Sequence, residues 1–136
     1  MAREIEAASL HALLTAGGEV ALLDAREEAA FAERHLLLAV PFPLSRLEVL
    51  AARLLPRRDV PIVLTDAGGG EAARAAGRLE DLGYNEVAVL AGGIEAWASA
   101  GFELFAGFNV PGKAFGELEL LVTLDTHRLE PGGRLR

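Results

Sequence analysis

Two rhythms of apolar residues alternate along the chain. Short continuous runs, Val20–Leu23, Leu36–Phe42, Val60–Leu64 and Glu86–Leu90, predict buried strands. The segments between them carry helical spacing. Ile5–Ala16 sets Ile5, Leu10, Leu13 and Leu14 on one face, with Ser9 near its start and Gly17-Gly18 as its stop. Its first residues also alternate, so Arg3–Glu6 reads equally as a short initial strand. Glu27–Arg34 reads as a short helix. Ser45 is placed to cap a helix over Arg46–Leu55, with Glu48 at the reciprocal position of a capping box and Pro56 as the terminator. An Ala-rich helix follows the third run and stops at Gly83, and a last short one spans Ile94–Ser99 before Gly101. This alternation predicts an α/β fold of three layers, α/β/α, with a central parallel sheet of about five strands. Ligands on such sheets sit beyond the carboxyl ends of the strands, which here are Asp24, Phe42, Thr65–Asp66 and Leu90–Ala91.

The stretch that concentrates candidate chemistry follows the third run. Asp66-Ala67-Gly68-Gly69-Gly70-Glu71 joins a predicted strand to a predicted helix. Such a junction cradles anions, because unpaired backbone N–H groups and the helix dipole both point into the loop. No Lys-Ser/Thr follows the glycines, so the segment is not a P-loop. A tight turn needing positive φ accounts for them as well.

Composition narrows the chemistry further. The chain has 136 residues, enough for one domain with a substantial core. Its net charge is −7 and its thirteen basic residues are scattered, which argues against nucleic acid or an acidic membrane surface as partner. It contains no Cys, so thiol nucleophiles, disulfides and thiolate metal sites are excluded. His11, His35 and His127 are far apart, no metal site is expected, and no cofactor is implied. The longest uncharged apolar stretch is interrupted by Pro41 and Pro43, far short of the roughly 20 residues a membrane span needs. With no basic-then-apolar leader at the start, the expected location is cytoplasmic.

After Gly101 the rhythm is lost. Phe102–Gly116 mixes four Phe with glycines and a proline, without clear periodicity. Glu117–Leu124 fits either a short helix or a strand, and Glu130–Arg136 reads as a loop or frayed tail.

Several segments, taken in order, resemble the rhodanese-like domain family over about residues 5 to 101. Leu22-Leu23-Asp24-Ala25-Arg26-Glu27 is similar to the family's Asp-x-Arg strand end, and Phe31-Ala-Glu-Arg-His35 to the segment before its next strand. Pro43-Leu44-Ser45 resembles the start of the following helix. Gly83-Tyr84, then Val87–Leu90 and Ala91-Gly92-Gly93-Ile-Glu-Ala-Trp97, give the most specific match. The resemblance implies a rhodanese-like fold and a family activity of sulfane-sulfur transfer, carried by a Cys persulfide in a Cys-x-x-Gly-x-Arg loop. Here the six positions are Asp66, Ala67, Gly68, Gly69, Gly70 and Glu71, so Asp66 takes the place of the Cys and Glu71 that of the Arg. The related phosphatases of this fold have a loop one residue longer and need the same Cys. Phe108–Glu117 resembles the connector after the first domain of proteins with tandem rhodanese domains. The expected division is therefore a domain over residues 1–101 and an extension or connector over 102–136. The expected partners are further rhodanese-like domains in cis, or another protein.

Two readings stand for Asp66. It could act as a nucleophile or base, giving an enzyme in which the loop binds an anion and takes a new hydrolytic role. Alternatively it is a built-in anion that fills the cradle and gains about 0.3–1 kcal/mol from the helix N-terminus. The second is favoured, because no His or second carboxylate is placed by sequence to assist it and Glu71 would repel external anions. Arg74 could reach back to the loop, but a solvated pair with Glu71 is the preferred reading. Asp24 is expected to cap the next helix and Arg26 to form a fold-holding ion pair. His35 is expected to hydrogen-bond backbone, Trp97 to lie in the core, and the Phe-rich tail to act as a latch or a docking surface. The chain is thus expected to be a catalytically silent module.

Overall fold

In the computed structural model, which describes residues 3–111 and 121–129, the apolar runs come together as one sheet. Its strands are β1 (Arg3–Ile5), β2 (Ala21–Asp24), β3 (Val40–Pro41), β4 (Ile62–Thr65) and β5 (Val87–Leu90). The order is β1-β5-β4-β2-β3 and every neighbouring pair is parallel. Strands β2 and β4 are buried along their whole length, as continuous apolar runs in a sheet covered on both faces must be.

Alternation along the strands divides the core in two. Ala21, Leu23, Ile62 and Leu64 face helices α3 (Leu47–Leu54) and α4 (Glu71–Asp81). Leu22, Val63 and Leu90 face α1 (Ala7–Thr15), α2 (Glu28–Glu33) and α5 (Gly93–Ser99). On α4 the buried residues are Ala72, Ala75, Ala76 and Leu79, a stripe at helical spacing whose small side chains let the helix sit close to the sheet. The third layer is closed by Trp97, which is buried and donates its indole N–H to the Glu103 carbonyl at 2.9 Å.

Several expectations are corrected. Leu36–Phe42 contributes only Val40–Pro41 to the sheet, because Leu36 and Ala39 close a turn (Ala39 N–H to Leu36 O, 3.0 Å) and Leu37 and Leu38 face outward. The capping box at Ser45 does not form. Leu44–Arg46 makes a 3-10 turn, Ser45 Oγ donates to the Glu27 carboxylate, and Glu48 turns to Arg78. The initial strand wins over a helix beginning at Ile5, since Arg3–Ile5 pairs with β5 and α1 starts only at Ala7.

The segment after Gly101, read as aperiodic, holds strand β6 (Leu104–Pro111), antiparallel to β7 (Leu121–Leu129). A register shift between Ala106 and Phe108, where Gly107 has φ +106°, breaks the alternation that would have revealed it. Leu104 is buried in the second core cluster and Phe105 bridges to His35, so the segment after Gly101 packs on the domain in front of it. Of the expected helix or strand at Glu117–Leu124, residues 121–124 belong to β7. Residues 117–120 and the expected tail at 130–136 lie outside the described residues. Among the described residues, no helix is long and apolar enough to cross a membrane.

Candidate functional site

The loop from Asp66 to Gly70 sits at the carboxyl edge of the sheet, where β4 ends and α4 begins. Gly68 and Gly70 adopt φ +92° and +88°, so the turn needs residues that tolerate left-handed backbone. Gly70 is the N-cap of α4 and offers no side chain to its first turn. That role is filled from across the loop. Asp66, only 7% exposed, accepts from Gly68 N–H through Oδ1 and from Ala72 N–H through Oδ2, both at 2.9 Å. The carboxylate therefore closes the turn and caps the helix at once.

A second loop holds the first in place. The Asp66 carbonyl accepts the Ile94 N–H at 2.8 Å, from the first turn of α5. Gly93, at φ +62°, lies so close that a Cβ there would collide with the same carbonyl. The Gly92-Gly93 pair thus lets the β5–α5 turn press against the loop.

Glu71 opens α4 and folds back over Gly69, where an added Cβ would meet its Oε1. That oxygen is buried with no hydrogen-bond partner. Arg74 is exposed, and its Nη1 lies 3.9 Å from where a Cβ on Gly70 would be. The expected Glu71–Arg74 ion pair is absent among the described residues, because the glutamate turns to the loop and the guanidinium reaches back over Gly70. Ala67, between Asp66 and the glycines, is exposed.

Beside this loop, Asp24 pairs in register with Thr65. Asp24 does not cap α2, whose N-cap is Glu27. It instead receives the Arg26 backbone N–H, Nε and Nη2 at 3.0, 2.9 and 2.8 Å, and Arg26 Nη2 donates onward to the Arg34 carbonyl. Both residues are buried, so this bidentate pair braces the strand end.

The arrangement has clear chemical limits. Both oxygens of Asp66 already accept an amide hydrogen bond, so a nucleophilic or basic role would fall to the remaining lone pairs of a carboxylate that caps the helix. Among the described residues, no group of three His, Cys, Asp or Glu could hold a metal ion. A separate cavity of about 460 Å³ is lined by His11, Leu14, Leu36, Trp97, Phe102 and Phe105, from α1, the turn before β3, the end of α5 and the start of β6. It contains none of the loop residues. The sequence reading did not identify it, although the aromatic cluster after Gly101 was its visible signal.

Comparison with known proteins agrees with this geometry. A family model described as "Rhodanese-like domain" matches residues 6–100. A sulfurtransferase from Allochromatium vinosum is 31% identical over 106 residues, covering 78% of this chain and 97% of that protein. The crystal structure of a thiosulfate sulfurtransferase from Pseudomonas aeruginosa matches at 49% identity and a TM-score of 0.74. That match covers 76% of this chain but only 20% of the Pseudomonas chain. A rhodanese-related protein from Thermoplasma volcanium matches at 29% identity and a TM-score of 0.63, covering 75% of this chain and 96% of its own. With the matched span, the identity to the Allochromatium protein and the parallel sheet in agreement, the chain belongs to the rhodanese-like domain family.

Proposed function

We propose that this chain is a catalytically silent rhodanese-like domain, serving as a docking, regulatory or structural module of a longer cytoplasmic sulfurtransferase. The observation that carries the reading is the seat taken by Asp66. Its carboxylate fills the loop that would otherwise receive an anion, and both of its oxygens are held by Gly68 and Ala72 amides. Glu71 adds a second carboxylate over Gly69. Sulfur transfer as the family resemblance implies it runs through a Cys persulfide. The chain has no Cys, and a carboxylate cannot carry a persulfide. The partner is a further rhodanese-like domain in cis, or a separate protein, with residues 102–136 as the connector. The small share of the Pseudomonas chain that is matched supports that setting.

A thiosulfate and cyanide assay tests the proposal. The purified chain is expected to form thiocyanate at the protein-free rate, and turnover above it would overturn the reading. Asp66→Cys combined with Glu71→Arg is expected to gain activity, because the glycine turn and the helix N-terminus remain. A folded double variant that stays silent would show that the loop is not a usable cradle.

A further inference from the structure

The cavity beside the start of β6 is an apolar groove with an aromatic floor. The His11 ring stacks flat on Phe102 at 4.0 Å between centroids, and Trp97 lies tilted against Phe102 at 4.8 Å. Phe105 lines the groove next to them and is half-buried. On the rim, Leu37 is 40% exposed and Leu38 47%. A concave apolar surface continued by exposed leucines is stabilised when another apolar group covers it. Glu103, also exposed on the rim, places a negative charge at the edge. None of these residues belongs to the Asp66 loop, so what covers the groove is independent of whether that loop is silent.

The chain brings a complementary segment to this place. Strand β7 runs antiparallel to β6, and its last residue, Leu129, is paired with Leu104. The strand is therefore directed at Glu103 and Phe102, which line the groove. Residues 130–136 read Glu-Pro-Gly-Gly-Arg-Leu-Arg, so one leucine, Leu135, stands between two arginines. Six residues separate it from Leu129, at most about 20 Å of extended chain, and Gly132-Gly133 permits a sharp change of direction on the way. Residues 112–120 leave from the opposite end of the hairpin, where Pro111 pairs with Leu121. Of the two segments, 130–136 is the one that starts at the groove.

We propose that residues 130–136 dock on their own domain, with Leu135 in the groove over Trp97 and Phe102 and its flanking arginines beside Glu103. The apolar side chain covers the aromatic floor, and the arginines match the sign of the rim. A docked tail closes the groove to other apolar ligands until it leaves.

NMR on the full chain tests the contact directly. Nuclear Overhauser cross-peaks are expected between the Leu135 methyl groups and the ring protons of Trp97, the single tryptophan. They should arise within one molecule when labelled and unlabelled chains are mixed. The apolar probe 8-anilinonaphthalene-1-sulfonate tests access to the groove. Loss of one buried leucine should lower the ratio of docked to open chains by about tenfold or more. The probe's apparent affinity follows the open fraction, so Leu135→Asp should tighten its binding by up to about tenfold. Leu135→Met should stay near the wild type. Cross-peaks only between different molecules would seat a second copy in the groove and overturn the proposal. So would the absence of any such cross-peak, or probe binding that Leu135→Asp leaves unchanged. Should Leu135→Asp fail to fold, the wild-type chain decides: cross-peaks within one molecule support docking, and their absence refutes it.

Discussion

Asp66 shows how far order along the chain reaches: it suggests the kind of contact and leaves the partners hidden. A carboxylate at a strand end before three glycines and a helix is placed to meet backbone amides, and that much follows from order along the chain. The particular donors, Gly68 and Ala72, follow only from how the loop closes. Asp66→Ala should leave both N–H groups without their acceptor and cost about 1–2 kcal/mol in urea denaturation. Asp66→Asn keeps one acceptor but turns an amide donor towards the other N–H, so its loss should fall in between. An alanine variant as stable as the wild type would show that water replaces the carboxylate at no cost. Gly93 is the complementary case. As part of a Gly-Gly turn it is conspicuous in the sequence, yet its contact with the Asp66 carbonyl joins two separate loops. Gly93→Ala combines a collision with left-handed backbone and should cost about 1–3 kcal/mol, read from the shift in denaturation midpoint.

Among the elements, those dictated by burial were legible and those dictated by partners were not. Strands β2 and β4 announce themselves because both faces are covered and every residue is apolar until the end. The stripe of α4 is equally plain. Ser45 and Glu48 have the residue types of a capping box, but Glu27 and Arg78, distant in sequence, compete for them and win. Strand β6 was lost to its bulge at Gly107. Tyr84 shows a similar tertiary tie. Its hydroxyl donates to the Leu55 carbonyl, at the C-terminal end of α3, while the Arg58 guanidinium lies over its ring at 4.7 Å. The phenol is buried, which raises its pKa and keeps the O–H a donor at neutral pH. Tyr84→Phe should preserve the packing and cost about 0.5–1.5 kcal/mol, measured by thermal or chemical unfolding. A much larger loss would mean that the hydroxyl also fixes where α3 ends.

At the scale of the whole molecule, the question is where the folding unit stops. Family resemblance covers about residues 5 to 101, and a helix ending before Gly101 makes that a natural place to divide the chain. Packing contacts continue past that point. Trp97 donates to the Glu103 carbonyl, Leu104 is only 4% exposed within the second core cluster, and Phe105 exchanges two backbone hydrogen bonds with His35. Cutting after Gly101 removes a buried leucine, worth about 1.5–3 kcal/mol. It also strips partners from the Trp97 indole and the His35 backbone, at about 1 kcal/mol for each lost bond. A fragment of residues 1–101 should therefore be less stable than one of residues 1–111 by about 3 kcal/mol or more, and the comparison of their urea midpoints measures it directly. Equal midpoints would mean that the first turn of the connector merely rests on the domain. A large difference would mean that whatever the connector leads to is mechanically coupled to the core through β6.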